Sequence, residues 1–171
     1  GYTFGNWSGA ATGTSNPTPV TMNGDKNVTA NFTPLRFTLT TSVSPSGSGS
    51  VTPNPLPGGD GKYAYGMVVQ LTANANTGYT FGNWSGAATG TSNPTPVTMT
   101  DNKSVTANFT PLRYTLTTSV SPTGSGTVTR NPLPDGDGKY PYLTMVQLTA
   151  LPNTGYTFSH WSGDVPPVTM D

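Results

Sequence analysis

Three tryptophans, Trp7, Trp84 and Trp161, each precede Ser-Gly, and the face of an indole can stack on a sugar ring. In each copy the Trp also closes an aromatic run, Tyr79-Thr-Phe81 before Trp84, so a core anchor is the favoured reading and sugar stacking the alternative. Tyr63, Tyr65, Tyr140 and Tyr142 lie beside Gly-rich turns that can leave side chains uncovered, and they form the candidate ligand strip. Asp135-Gly-Asp137-Gly has the oxygen spacing that opens a calcium loop. Such a loop needs further oxygen ligands and a closing Glu. The chain has no Glu, and the matching earlier stretch is Gly58-Gly-Asp60-Gly, so a plain turn is expected, with no metal and no cofactor. His160 is the only His, and Asn6 and Asn83 stand at its matching positions. A general base needs a positioned partner; the repeating frame offers none, so no catalytic residue is expected. Asn6, Asn27, Asn31, Asn83, Asn102 and Asn108 sit in N-x-S/T sequons, which arise readily in a chain so rich in Asn and Thr.

The elements that would position these residues are written in a repeat. Gly1–Met22 recurs unchanged as Gly78–Met99, and residues 1–33 differ from 78–110 only at Asn23, Gly24, Asp25 and Asn27. Arg36-Phe-Thr-Leu-Thr-Thr-Ser-Val-Ser-Pro returns as Arg113-Tyr-Thr-Leu-Thr-Thr-Ser-Val-Ser-Pro, and the tryptophans stand 77 residues apart. A natural unit therefore opens at Arg36 or Arg113 and closes near Phe32 or Phe109. The chain holds the C-terminal half of one repeat (1–33), a complete repeat (36–110), and a nearly complete one lacking its last strand (113–171). A stretch cut from a longer array is the expected origin.

Within the repeat, period-two alternation dominates. Phe37, Leu39 and Val43 share a parity, as do Val69, Leu71 and Ala73, and Val105, Ala107 and Phe109. Pro (17) and Gly (21) interrupt nearly every window that a helix could use. Strands are predicted near 36–44, 49–53, 67–74, 79–84, 95–99 and 103–110. Asp60-Gly and Asp137-Gly suit tight turns. Trp84 breaks the parity of Tyr79 and Phe81, so Gly82 is expected to mark a bulge. The predicted core is Leu39, Val69, Leu71, Phe81, Trp84, Val97 and Phe109, with Trp7 and Trp161 in the flanking copies.

Composition narrows the function classes. Hydrophobic residues are 32% and charged residues 8%, yet aromatics reach 10% and fall in patterned runs, which a disordered chain lacks. Net charge is zero and the Lys and Arg are scattered, so no nucleic-acid surface is expected. No apolar run is long enough for a membrane-spanning helix, and no membrane insertion is expected. Absence of Cys removes disulfides and thiolate metal sites.

Arg-Tyr-Thr-Leu-Thr, Gly-Tyr-Thr-Phe-x-x-Trp-Ser-Gly, Pro-Val-Thr-Met and Lys-Ser-Val-Thr-Ala-Asn-Phe follow one another in fixed order. In that combination the chain resembles the divergent internalin-B-type B-repeat, also described as the Listeria–Bacteroides repeat. The resemblance covers essentially the whole chain. It implies all-β modules, β-grasp-like or sandwich-like, set in an elongated tandem array in secreted or cell-surface bacterial proteins, without a catalytic motif. The third repeat departs from the pattern: from Gly163 to Pro167 it lacks six residues of the Ala87–Pro96 loop.

Two functions fit. One is a stalk or spacer, since Phe109 closes one unit and Arg113 opens the next with only Thr-Pro-Leu between. The other is an adhesive module binding a glycan or a partner protein, marked by an exposed aromatic cluster at the repeat period. Expected partners are neighbouring repeats of the same or adjacent chains. Lys26, Val28, Ala30 and Phe32 belong to a strand that the third repeat lacks, so head-to-tail filaments through a donated strand are a further expectation.

Overall fold

A computed structural model describes residues 1–164 of the chain, which fall in two compact units, the first Gly1–Thr110 and the second beginning at Pro111. The first unit opens with an antiparallel pair, β1 (Tyr2–Gly9) and β2 (Val28–Pro34). Their register slips between Phe4 and Asn6, placing a bulge at Gly5. The slip restores Trp7 to the face of Phe4, and the two rings lie 5.2 Å apart.

The complete repeat follows in the same unit. Its strands are β3 (Arg36–Phe37), β4 (Leu39–Ser44), β5 (Gly49–Asn54), β6 (Tyr63–Ala64), β7 (Val68–Ala75), β8 (Tyr79–Gly86), β9 (Thr95–Thr98) and β10 (Lys103–Pro111). The short β6 was not visible in the sequence pattern; it pairs with β3, setting Phe37 opposite Tyr63. One three-stranded sheet has the order β4-β10-β8, the other β5-β7-β9. β4 and β10 run parallel, Leu39 opposite Lys103 and Val43 opposite Ala107. The other sheet is antiparallel throughout. Alternation turns one face of each sheet inward, and the two faces share one core. Val69, Leu71 and Trp84 are fully buried there with Met99, Val105 and Ala107. Val97 and Phe109 are buried beside them, while Leu39 and Phe81 are part-buried against the same cluster. The architecture is therefore sandwich-like, and no helix lies among the described residues.

Turn chemistry fixes the corners. At Asp60-Gly61 the Asp60 carboxylate accepts the Lys62 N–H at 3.1 Å, and Gly61 takes φ 73°. The Gly of Trp84-Ser-Gly86 has φ 93° and lies so close to the Ser104 carbonyl that a Cβ would meet it at 2.5 Å. That approach is why Gly ends the motif.

The second unit repeats part of this plan. β11 (Arg113–Tyr114) pairs with β13 (Tyr140–Pro141), and β12 (Gly126–Asn131) with β14 (Gln147–Pro152). Residues 115–120 and 156–162, which match β4 and much of β8, carry no strand. In the complete repeat both of those strands pair with β10, and among the described residues of the second unit no strand takes that place. A strand without a ladder partner is not assigned, whatever its propensity. The shortened loop running to Pro167 lies largely outside the described residues.

Candidate functional site

Trp84 is held on every side. Its ring lies 5.1 Å from Phe81, its indole N–H donates to the Ser92 carbonyl at 2.9 Å, and its backbone N–H donates to the Gly90 carbonyl at 2.8 Å. At 1% exposure it offers no face to a sugar. Trp7 makes the same bond to Ser15 at 2.9 Å but is only part-buried, and so is Trp161, 5.1 Å from Phe158. The loop after Trp84 is pinned by Asn93, whose amide accepts the Ala73 N–H at 2.9 Å and donates to the Ala73 carbonyl at 2.8 Å. The side chain thus extends the β7 ladder by one rung.

The tyrosine strip is corrected to half its size. Tyr63 and Tyr140 are buried at 3% and 5%, because β3–β6 and β11–β13 turn them inward. Burial pushes the Tyr63 hydroxyl above the ordinary tyrosine range. Tyr65 and Tyr142 are exposed, each tilted against the first aromatic of its repeat: Phe37 at 6.4 Å and Tyr114 at 6.3 Å. A Cβ on Gly1 would lie 3.2 Å from the Tyr65 ring, so the preceding half-repeat abuts this pair.

The acidic turns serve arginines. Arg36 pairs with Asp60 at 2.9 Å, and Arg113 with Asp135 and, at 2.9 Å, with Asp137. Asp137 also accepts the Lys139 N–H at 3.0 Å; that bond is the leading reason its carboxyl sits below the usual carboxylate range, with Arg113 adding to it against some desolvation. Asp135 and Asp137 raise the Arg113 guanidinium in return, Asp135 foremost. Among the described residues no three His, Cys, Asp or Glu side chains gather as metal ligands. His160 is exposed, and its Nδ1 lies 2.9 Å from the neighbouring Ser159 hydroxyl, with no carboxylate in that bond.

A concavity of about 620 Å³ lies in the second unit. Leu116, Val120, Val128, Leu148, Ala150 and Phe158 line it. They match Leu39, Val43, Val51, Leu71, Ala73 and Phe81, the residues in and against the core that β10 covers. Arg130 donates to the Leu116 carbonyl at 3.0 Å and to the Thr118 hydroxyl at 3.1 Å, holding one lip. In the first unit the strand expected over Lys26–Phe32 runs instead from Val28 to Pro34, with Lys26 outside it. Its Val28 and Phe32 are 39% and 59% exposed, and Ala30 is part-buried.

These ordered repeats match the model of the divergent InlB B-repeat domain over residues 1–36, 39–113 and 116–170. The chain belongs to that family. No curated protein and no solved structure matches it.

In this B-repeat the residues that recur carry packing and strand pairing. Two features escaped the sequence reading. Asn93 stood in the duplicated loop without a visible partner, because its partner is the backbone of β7. The Arg–Asp pairs did leave a signal: Arg36 precedes Asp60 by the same separation as Arg113 precedes Asp137.

Proposed function

We propose that these B-repeats form a non-catalytic stalk or spacer in a secreted or cell-surface bacterial protein. The observation that carries this reading is the join between repeats. β2 runs to Pro34 and β3 begins at Arg36, leaving Leu35 alone between them. Leu35 is itself bonded on both sides: its N–H donates to the Gly1 carbonyl at 2.7 Å, and its carbonyl accepts the Tyr65 N–H at 3.0 Å. A join stitched into the ladders of both neighbours, and stiffened by Pro34, resists hinging. Tandem stacking of this kind gives length, which is what a stalk supplies. Head-to-tail assembly of chains would extend the same role into a filament.

The test is small-angle scattering on the chain and on versions carrying one and two additional 77-residue repeats. A stalk gives a maximum dimension that rises by a constant increment per repeat. Growth with the square root of repeat number, as for a flexible string, overturns the reading.

An adhesive role is the second reading, favoured by exposed Tyr65 and Tyr142, which recur at the repeat period and lie against part-buried Phe37 and exposed Tyr114. A glycan array separates the two: binding lost in Tyr65→Ser with Tyr142→Ser supports adhesion, and no binding removes it.

A further inference from the structure

We propose that the parallel pair β4–β10 is the force-bearing clamp of the complete repeat, resisting tension along the chain by shear. All eight strands of this repeat, β3 to β10, lie inside the described residues. In a tandem array tension reaches the repeat through Leu35 and leaves it at Pro111. β4 is the first long strand that this load meets and β10 the last, and the two are neighbours in one sheet. They run parallel, with pairs from Leu39 opposite Lys103 to Ser44 opposite Asn108. Tension draws β4 toward its N-terminal end and β10 toward its C-terminal end. In a parallel pair those are opposite ends of the ladder, so the strands must slide past each other and every rung is strained at once. In an antiparallel pair they would be the same end, and the rungs would break one at a time. Parallel bonds are also evenly spaced, so the load has no widely spaced rung to concentrate on.

Side chains lengthen and brace this ladder. Asn102 Oδ1 accepts the Thr38 N–H at 2.9 Å and the Thr38 hydroxyl at 3.1 Å, and the Lys103 N–H donates to the Thr38 carbonyl at 2.9 Å. These bonds stand ahead of the Leu39–Lys103 pair, where the load arrives. Midway, the Ser42 and Thr106 hydroxyls lie 2.8 Å apart across the two strands. The opposite face is dry: Leu39 and Val43 pack against the core, and Val105 and Ala107 are buried at 1% and 0% exposure. Water therefore reaches the rungs from one side only, and a rung opened on the other side finds no replacement partner. β8 holds the far edge of β10, so slippage falls on the β4 ladder. The clamp gives the stalk proposed above its resistance to tension and rests on that reading for its purpose. The scattering series tests reach and stiffness and pulling tests this contact, so either can fail alone.

Single-molecule pulling on the full chain is the test. The chain has no Cys, so introduced cysteines are unique handles. Thr33→Cys with Pro111→Cys, both at exposed positions, loads the pair in shear. Thr33→Cys with Thr100→Cys, in the exposed turn before β10, loads both strands from their N-terminal ends and peels them apart. At one pulling speed the rupture force should be at least about twofold higher in shear, because forced unfolding reports the barrier that the load must cross. Ser42→Ala with Asn102→Ala should lower the shear force. Asn74→Ala removes a bond of the same kind, 3.1 Å to the Thr52 hydroxyl between β5 and β7, away from the clamp, and should leave that force unchanged. Thermal melts followed at Trp84 check that each variant is folded. Equal rupture forces in the two geometries overturn the proposal. So does a double variant that lowers the shear force no more than Asn74→Ala.

Discussion

Lys26–Phe32 and Lys103–Phe109 are the same strand in two settings. One residue separates them, Asn27 against Ser104, yet Val28 and Phe32 are 39% and 59% exposed where Val105 and Phe109 stand at 1% and 5%. The difference lies in the neighbours. β10 has β4 on one edge, β8 on the other and the β5-β7-β9 sheet beneath it; β2 has only β1. A second contrast mirrors the first. Leu39–Ser44 is a strand beside β10, while 116–120, nearly the same sequence, carries none. In this molecule a strand and its burial belong to the completed repeat and not to the segment.

Paired substitutions probe that contrast most strongly in the core. Phe109→Ala should cost ~3–5 kcal/mol, as truncation of a buried aromatic does. Phe32→Ala, with its ring exposed, should cost under ~1 kcal/mol. Trp84→Ala should fall with Phe109→Ala, and Trp7→Ala well below it. Denaturant melts of each variant give the comparison, and equal costs within a pair would break it.

A smaller effect is expected in the duplicated loop. Asn93→Ala removes both bonds to Ala73 and leaves part-buried backbone groups unpaired, at a cost of ~1–3 kcal/mol. Asn16→Ala, at the matching place in the half-repeat, should move the melt by less than ~0.5 kcal/mol.

The smallest effect is electrostatic. Asp137 is held below the ordinary carboxylate range in the folded chain, so it stays ionised there to lower pH than in the unfolded chain. Its stabilisation is in full force above the ordinary range and fades as pH falls through the lowered value. Asp137→Asn should therefore lower the second unit's melting temperature slightly at neutral pH and flatten its acid limb, the two profiles converging in acid below the lowered value. Calcium is expected to do nothing further, since Arg113 engages both Asp135 and Asp137. Melts in EDTA and in millimolar calcium should coincide, and a large upward shift with calcium would mean the turn binds the ion.

Much of this was legible in the sequence, for physical reasons that also mark where reading stopped. Period-two alternation exposed the inward faces of β7 and β10, because a sheet gives each residue one of two sides. Duplication fixed the 77-residue period. The parity break at Trp84 pointed to a bulge, and the duplicate Trp7 has one at Gly5. Tyr63 and Tyr140 were misplaced because a two-residue strand has no period to read, and only its pairing with β3 or β11 decides which way it faces. Pairing of Asn93 with β7 was equally hidden, being a contact between distant segments.

Hydrogen exchange on the intact chain tests the central claim most directly, that the strand at the β10 position completes each repeat. Amides of Leu39–Ser44 should be protected and those of 116–120 should exchange like open segments. Equal protection of the two segments would contradict the account.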